Sequence, residues 1–207
     1  MIKVVYTNPY YLKGEIEKIN ELFEVGLDEL HIRKPGYSKS EMTKFIQQID
    51  FKNWNKIVLH SHFDLVLKFN LRGIHVSPTK RRKWSFQWKR VYYRFMKGNV
   101  QISTTTSNLD KFYKFYNFDK VFLGPLFNTS YRSDTLFAFE ESELRKVLKN
   151  EFTEVYAVGG INADNINRVY DLGFKGFALQ STVWKAIDPV LAFHEVLSAD
   201  DIGRLAS

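Results

Sequence analysis

The stretch 154-EVYAVGGINADNI-166 has the pattern of a single βα unit. Its run of β-branched and aromatic residues predicts a strand that ends in Gly159 and Gly160, and a helix is predicted to open near Asn162. Glycine weakens a strand because it has no side chain to pack. Two adjacent glycines at a strand end therefore indicate that another group approaches the backbone closely.

The same alternation of strand and helix recurs along the chain. Eight short apolar runs predict parallel strands covered on both faces, at residues 2–7, 29–34, 56–61, 73–77, 100–104, 120–125, 155–160 and 176–181. Helical periods lie between them, at 14–26, 38–49, 109–116, 140–150 and 162–173. Eight near-equivalent units predict an α/β fold of the (β/α)8 TIM barrel type, and a doubly wound open sheet is the main alternative.

Length and composition limit the classes of protein. The 207 residues are expected to form one domain, with a C-terminal tail at about 197–207 outside the core. The chain has no cysteine, no apolar run of the roughly 20 residues that span a bilayer, and no signal-peptide pattern at its start. We therefore expect no disulfide, no thiolate catalysis and no membrane partner, and a cytoplasmic location.

The net charge of +7 is concentrated in one segment. Residues 80–97 carry eight basic and no acidic side chains, interleaved with Trp84, Trp88, Tyr92 and Tyr93. The spacing predicts an amphipathic helix whose aromatic side chains face the core. The alternative is a nucleic-acid surface that contacts phosphates and stacks bases.

Polar residues cluster where the predicted strands end. His31, His60, His62 and His75 lie at or just past strand ends. The same rim holds Arg33, Lys34, Ser61, Ser77, Thr104, Thr105, Thr106, Gln180 and Ser181. Ligands of TIM barrels bind at the carboxyl ends of the strands. A rim rich in cations and hydrogen-bond donors but poor in carboxylates favours an anion, above all phosphate.

Two uses of this rim are open. Phosphate often binds the loops after strands seven and eight, where backbone N–H groups are exposed, which gives Gly159, Gly160, Gln180 and Ser181 a function. The pair His60 and His62 is instead typical of a metal site, because alternate strand residues point the same way. The phosphate site is preferred, and no metal ligand is assigned.

Several motifs together resemble the thiamine phosphate synthase/TenI family over about residues 1–186. In chain order they are LHIRKPG (30–36), HSHFDL (60–65), GIHVS (73–77), FDKVFLGPLFNTSYR (118–132), AVGGIN (157–162) and GFKGFALQST (173–182). The resemblance implies a (β/α)8 barrel. It also implies either the joining of hydroxymethylpyrimidine diphosphate to thiazole phosphate with release of diphosphate, assisted by Mg²⁺, or isomerisation of the thiazole phosphate.

The resemblance also implies residue roles. Arg33 matches an arginine that serves the diphosphate, and Thr129 matches a threonine near the substrates. Gly159 and Gly160 match glycines that bind the thiazole phosphate, and Ser181 matches a serine after the last strand. These positions agree with the phosphate site inferred from the rim.

Other positions depart from the family pattern. Ser61 and Lys80 stand where two Mg²⁺-binding aspartates are expected, and Mg²⁺ prefers carboxylate oxygens. His31 replaces a glutamine and Pro35 a lysine, with Lys34 as the candidate substitute. Tyr131 and Arg132 replace a Thr-Lys pair. Ser107 replaces the isomerase histidine, and serine does not titrate near neutral pH.

The favoured function is therefore a synthase-type transfer that is catalysed by Arg33, Lys34, His31 and His60, with Lys80 adding positive charge. Substrate-binding residues are expected to be His62, His75, Thr129, Arg132, Gly159, Gly160, Gln180 and Ser181. No cofactor is certain, because the Mg²⁺ ligands are missing. The alternatives are an isomerase, or a barrel that binds a phosphorylated metabolite without catalysis. The expected partner is a phosphorylated small molecule, nucleic acid is disfavoured, and a homodimer is left open.

Overall fold

The computed structural model describes residues 1–81, 91–110, 112–127 and 139–205, with side chains described up to residue 199. Eight parallel strands close into a barrel in chain order. They are β1 (Ile2–Tyr6), β2 (Glu29–Ile32), β3 (Ile57–Leu59), β4 (Gly73–Val76), β5 (Gln101–Thr106), β6 (Lys120–Leu123), β7 (Glu154–Val158) and β8 (Gly176–Leu179). The predicted TIM barrel is confirmed, and the open sheet is excluded because β1 pairs with β8.

Helices follow the strands around the outside of the barrel. They are α1 (Glu15–Glu24), α2 (Lys39–Gln48), α3 (Leu65–Lys68), α4 (Pro78–Arg81), α5 (residues 91–96), α6 (Glu141–Leu148), α7 (Ile166–Leu172), α8 (Ser181–Trp184) and α9 (Pro189–Leu205). Short 3₁₀ helices lie at Phe51–Lys56 and Phe112–Phe115. Among the residues described, no helix has the length and apolar character to cross a membrane.

Local signals in the sequence decide several helix ends. The capping box predicted at α2 is present, because the Ser38 side chain accepts from the Glu41 N–H and the Glu41 carboxylate accepts from the Ser38 N–H. Gly173 ends α7 in the left-handed conformation, as expected for a helix stop.

Three local expectations need correction. The helix predicted at 109–116 is only a 3₁₀ turn. Asn162 is not the N-cap of α7, which is Asn165, because the Asn162 side chain accepts from the N–H groups of Asp164 and Asn165 in a turn before the helix. In segment 80–97, Tyr93 is buried but Tyr92 is half exposed, so not all of its aromatics face the core.

Trp84 and Trp88 lie outside the described residues.

The last helix continues to Leu205, and Leu197 and Ala199 pack against the core. The predicted boundary at about residue 197 therefore falls within a helix, and the tail remains a prediction because the side chains after 199 are not described.

Alternation along the strands creates two buried regions. The barrel interior contains Val4, Tyr6, Phe122, Tyr156 and Ala178, together with the polar side chains that contact them. The outer shell is the large apolar layer between strands and helices, which includes Leu22, Leu30, Ile32, Ile46 and Leu59. Successive strand residues point to opposite faces, so each strand contributes to both regions.

Candidate functional site

A cavity of about 390 Å³ opens at the carboxyl end of the barrel. Polar and apolar residues from the ends of β1 to β5, β7 and β8 form its wall: Tyr6, Arg33, His60, His75, Ser77, Pro78, Thr105, Val158, Gly159, Gly160, Ile161, Ala178, Leu179, Gln180, Ser181 and Thr182. Its position is that of the ligand site in TIM barrels. Its mixed lining suits a small ligand that carries both a ring and an anionic group.

Nine of the residues singled out from the sequence lie in this wall. They are Arg33, His60, His75, Ser77, Thr105, Gly159, Gly160, Gln180 and Ser181. The rim inferred from strand ends is thus assembled around one cavity, while the role of each residue remains a prediction. Thr129 and Arg132 lie outside the described residues.

Lys34 and His62 do not line the cavity, which corrects their expected placement. Lys34 is only 1% exposed and its ammonium forms an ion pair with Glu15 of α1 and donates to the Tyr10 carbonyl. Arg33 and Lys34 are adjacent and therefore point to opposite sides of the chain. His62 has a left-handed backbone (φ 50°), and its Nε2 lies 2.8 Å from the Tyr37 carbonyl oxygen.

His31 is fully buried beneath the cavity instead of in its wall. Its Nδ1 lies 3.0 Å from Nε2 of His60, and its Nε2 lies 2.7 Å from a carboxylate oxygen of Glu29. His31 therefore connects a cavity residue to a carboxylate within the barrel interior.

Glu29 is the centre of a buried charge cluster. Its carboxylate accepts from Lys120 at 2.5 Å and from Arg72 at 2.8 Å, in addition to its contact with His31. Glu29 is 1% and Lys120 3% exposed. Burial alone raises the pKa of Glu29, but the contacts with His31 and Lys120 outweigh it and hold that pKa below its usual range.

His75 completes a group of three imidazoles. Its ring stacks on that of His60 with centroids 4.3 Å apart. Nδ1 of His75 lies 2.9 Å from the Ser103 hydroxyl, and Nε2 lies 3.0 Å from the Thr105 hydroxyl. Both ring nitrogens are thus positioned by β5, whose residues are paired with β4.

Burial sets the protonation of these imidazoles. It lowers the pKa of His31, His60 and His75, and for the last two the pKa lies well below the ordinary range. Neighbouring positive charge acts in the same direction on His60 and His75, including that of Arg33. The three rings are therefore neutral at neutral pH and act as hydrogen-bond partners or metal ligands rather than as cations.

Gly159 and Gly160 have a packing reason to be glycine. Both have positive φ, 94° at Gly159 and 73° at Gly160. A Cβ at Gly159 would lie 2.7 Å from Cα of Pro125, and one at Gly160 would lie 2.6 Å from the Phe127 carbonyl oxygen. Residues 125–127 therefore approach the backbone of both glycines closely. Both glycines also lie in the cavity wall, and the approach of a phosphate to them stays a prediction.

The cavity does not provide a Mg²⁺ site of the usual kind. No carboxylate is present among the described residues of its wall, and Mg²⁺ requires oxygen ligands. At the two positions where aspartates are expected stand Ser61 and Lys80, and the Lys80 ammonium donates to the His60 carbonyl at 3.2 Å. The described residues therefore do not fit Mg²⁺.

Tyr6 and Glu29 belong to the site but were not assigned to it from the sequence. Tyr6 stacks on His31 with ring centroids 4.8 Å apart and lines the cavity. Glu29 is two residues before His31, a spacing that places both on one face of a strand, and this signal was available. Tyr6 also sits at a strand end, but without a charge to distinguish it.

Comparisons with known proteins agree with this architecture. The family model described as thiamine monophosphate synthase matches residues 4–183. A thiamine-phosphate synthase of Pediococcus pentosaceus is 25% identical, over 79% of this chain and 77% of its own length. A thiamine-phosphate synthase of Pyrococcus abyssi is 24% identical, over 89% of this chain and 88% of its own length.

Solved structures give the same result. A thiamine phosphate pyrophosphorylase from Bacteroides thetaiotaomicron superposes with a TM-score of 0.77 at 26% identity and covers 98% of both chains. One from Pyrococcus furiosus has a TM-score of 0.78 at 22% identity, covering 97% of this chain and 96% of its own. With its barrel, its cavity and a family match over residues 4–183, the chain belongs to the thiamine monophosphate synthase (TMP-TENI) family.

Proposed function

We propose that the protein is a transferase of thiamine biosynthesis, which joins hydroxymethylpyrimidine diphosphate to thiazole phosphate and releases diphosphate. The observation that carries the proposal is the composition of the cavity wall. Arg33 at the end of β2 and the group Gly159, Gly160 and Ser181 after β7 and β8 face one space of about 390 Å³. Two separate anion-binding sets are what a reaction between two phosphorylated substrates requires.

The thiazole phosphate is assigned to the glycine side. The N–H groups of Gly159, Gly160 and Ile161 follow strand β7. Among the described residues they donate no hydrogen bond outside the strands. Ser181 begins α8 next to them. Backbone N–H groups without a protein partner are suited to phosphate oxygens.

The pyrimidine diphosphate is assigned to the Arg33 side. A guanidinium binds diphosphate oxygens in pairs and remains charged at any physiological pH. His60, which is neutral, contributes as a hydrogen-bond partner, and the Lys80 ammonium beside the His60 carbonyl adds positive charge. This arrangement provides fixed positive charge for the departing diphosphate without carboxylate-bound Mg²⁺.

We also propose that the substrates are phosphorylated small molecules and that the protein is located in the cytoplasm. A homodimer stays a prediction. Isomerisation of thiazole phosphate and binding without catalysis are the competing outcomes of the same assay. Ser107 stands where the family's isomerase histidine is expected, which counts against isomerisation.

Calorimetry with thiazole phosphate, with and without Mg²⁺, is the first test. The pyrimidine diphosphate is then added and thiamine phosphate is measured. We expect thiazole phosphate to bind and thiamine phosphate to form. Binding without thiamine phosphate contradicts the synthase proposal, and an isomerised thiazole phosphate in its place identifies the isomerase.

The variant Arg33→Met separates the two halves of the cavity. We expect it to lower the rate of thiamine phosphate formation about 100-fold or more, as loss of a transition-state donor does, and to leave the affinity for thiazole phosphate unchanged. Arg145→Met is the matched control, because Arg145 pairs with Glu141 on α6 and does not line the cavity. An equal loss in both variants contradicts the assignment.

A further inference from the structure

We propose that His31, His60 and His75 form a binding site for a divalent transition metal ion, with Zn²⁺ as the best-matched ion. The three residues come from three neighbouring strands: His31 lies in β2, His60 directly follows β3, and His75 lies in β4. One ring nitrogen of each lies within 4.8 Å of the other two. The inference goes beyond the proposed transfer reaction and does not depend on it.

The spacing of the nitrogens is close to that of a zinc site. Zn²⁺ binds imidazole nitrogens at about 2.0–2.1 Å, so two ligand nitrogens of a tetrahedral site lie about 3.4 Å apart. Nδ1 of His31 and Nε2 of His60 are 3.0 Å apart. The third nitrogen, from His75, lies within 4.8 Å of these two, so the His75 side chain has to move toward them to bind the same ion.

Groups behind the histidines already select the ligand atoms. Nε2 of His31 is held by the Glu29 carboxylate at 2.7 Å, which leaves Nδ1 for a metal. Nδ1 of His75 is held by the Ser103 hydroxyl at 2.9 Å. Its Nε2 would bind the metal by exchanging its present partner, the Thr105 hydroxyl at 3.0 Å. Metal-binding histidines typically use their second nitrogen in this way, often with a carboxylate as partner.

The type of ligand also favours a transition metal ion. Three neutral imidazoles suit Zn²⁺, Co²⁺ or Cu²⁺ and do not suit Mg²⁺, which prefers oxygen. The site is therefore different in its chemistry from the carboxylate site that the family resemblance implies.

A fourth coordination position would face the cavity. His60 and His75 belong to the cavity wall. The Tyr6 hydroxyl is buried near Thr105 and has no hydrogen bond of normal geometry among the described residues. Three histidines with an open fourth position are the arrangement of a catalytic rather than a structural zinc site. That position would accept water or an anionic oxygen of a ligand.

The test is metal titration of the full chain after removal of metals with a chelator. Calorimetry with Zn²⁺ is expected to give one site per chain. Co²⁺ is expected to give the intense visible absorption of a tetrahedral nitrogen site, and Zn²⁺ is expected to abolish it. X-ray absorption of the zinc-loaded protein should show imidazole nitrogens at about 2.0–2.1 Å. No stoichiometric binding, or octahedral Co²⁺ alone, overturns the proposal and leaves a hydrogen-bonded histidine chain.

Variants assign the binding to this cluster. His60→Asn and His75→Asn are each expected to weaken Zn²⁺ binding at least 100-fold, whereas Glu29→Gln should weaken it about 10- to 100-fold through His31. His62→Asn and His194→Asn are the matched controls, since neither lies in the cluster. Equal binding by wild type and His60→Asn, or loss in a control, overturns the proposal. If a variant does not fold, as judged by circular dichroism, the absorption data on the wild type decide.

Discussion

Strand β2 has four buried residues, and its two faces differ completely in chemistry. Glu29 and His31 lie in the barrel interior, among Lys120, His60 and Tyr6. Leu30 and Ile32 lie in the outer shell. The exposed fraction is at most 1% for the four β2 residues, so burial alone does not distinguish them.

The difference separates the roles of the two regions. Apolar burial in the outer shell contributes free energy of folding in proportion to the area removed from water. The barrel interior has to desolvate charges, and replacing a buried ion pair by apolar residues is often neutral or stabilising. The interior charges and histidines are therefore better explained by the site above them than by stability.

The largest effect is expected where a charge of the interior loses its partner. Glu29→Gln leaves the buried Lys120 ammonium without a carboxylate and is expected to lower the free energy of unfolding by about 3–5 kcal/mol. Urea unfolding in the presence of a chelator measures it. The double variant Glu29→Gln with Lys120→Met should recover much of the loss. A loss below about 1 kcal/mol contradicts tight coupling of the pair.

A shell residue of the same strand is expected to have a somewhat smaller effect. Leu30→Ala removes a fully buried side chain and should lower the free energy of unfolding by about 3 kcal/mol because a cavity remains. Leu191→Ala on α9 is the control, since Leu191 is exposed and should change it by less than about 0.5 kcal/mol. Metal and anion affinity should stay unchanged in both. A clear loss of affinity in Leu30→Ala would contradict the separation of the two regions.

Gly160 lies where the two regions meet, between the cavity and Phe127 of the shell. Gly160→Ala is expected to lower the free energy of unfolding by about 2 kcal/mol, because alanine is strained at positive φ and its Cβ would lie 2.6 Å from the Phe127 carbonyl oxygen. Gly36→Ala is the control, since a Cβ there would meet no atom of the described residues within 4 Å. Unchanged urea midpoints for both variants would show that the backbone here shifts freely.

The smallest effect is expected for a charge pair outside both regions. Lys18 and Glu21 pair on the surface of α1 at 2.7 Å. Solvent screens such pairs, and their contribution is small. We expect Lys18→Ala to leave the urea midpoint unchanged within error. A shift comparable to that of Glu29→Gln would remove the contrast between buried and exposed ion pairs.

The order of the elements was predictable from the sequence because the signals are local. The eight apolar runs correspond to all eight strands, with ends placed within three residues of those observed. The capping box of α2 and the glycine stop of α7 depend on residues a few positions apart. The cavity-lining positions of Arg33, His60, His75, Gly159 and Ser181 followed from the rule that TIM barrels bind ligands at strand ends.

Other features of the site depend on distant residues. Lys34 was expected at the rim. Its ammonium instead forms an ion pair with Glu15 of α1, which lies away from the cavity wall. His62 was expected to point the same way as His60, as alternate residues of a strand do. The backbone instead turns at His62, and Nε2 of its side chain lies 2.8 Å from the Tyr37 carbonyl oxygen. Residues 128–138 contain Thr129 and Arg132, whose placement stays a prediction.

The eight strand–helix units and a polar rim can be predicted from the sequence alone, since they follow from hydrophobic periodicity and from strand ends read one segment at a time. Which polar residues meet depends on how the strands are arranged in space. Glu29 and Lys120 are 91 positions apart, and His31 and His60 are 29 apart. Closure and register of the barrel bring these pairs together, and neither can be read from a single segment.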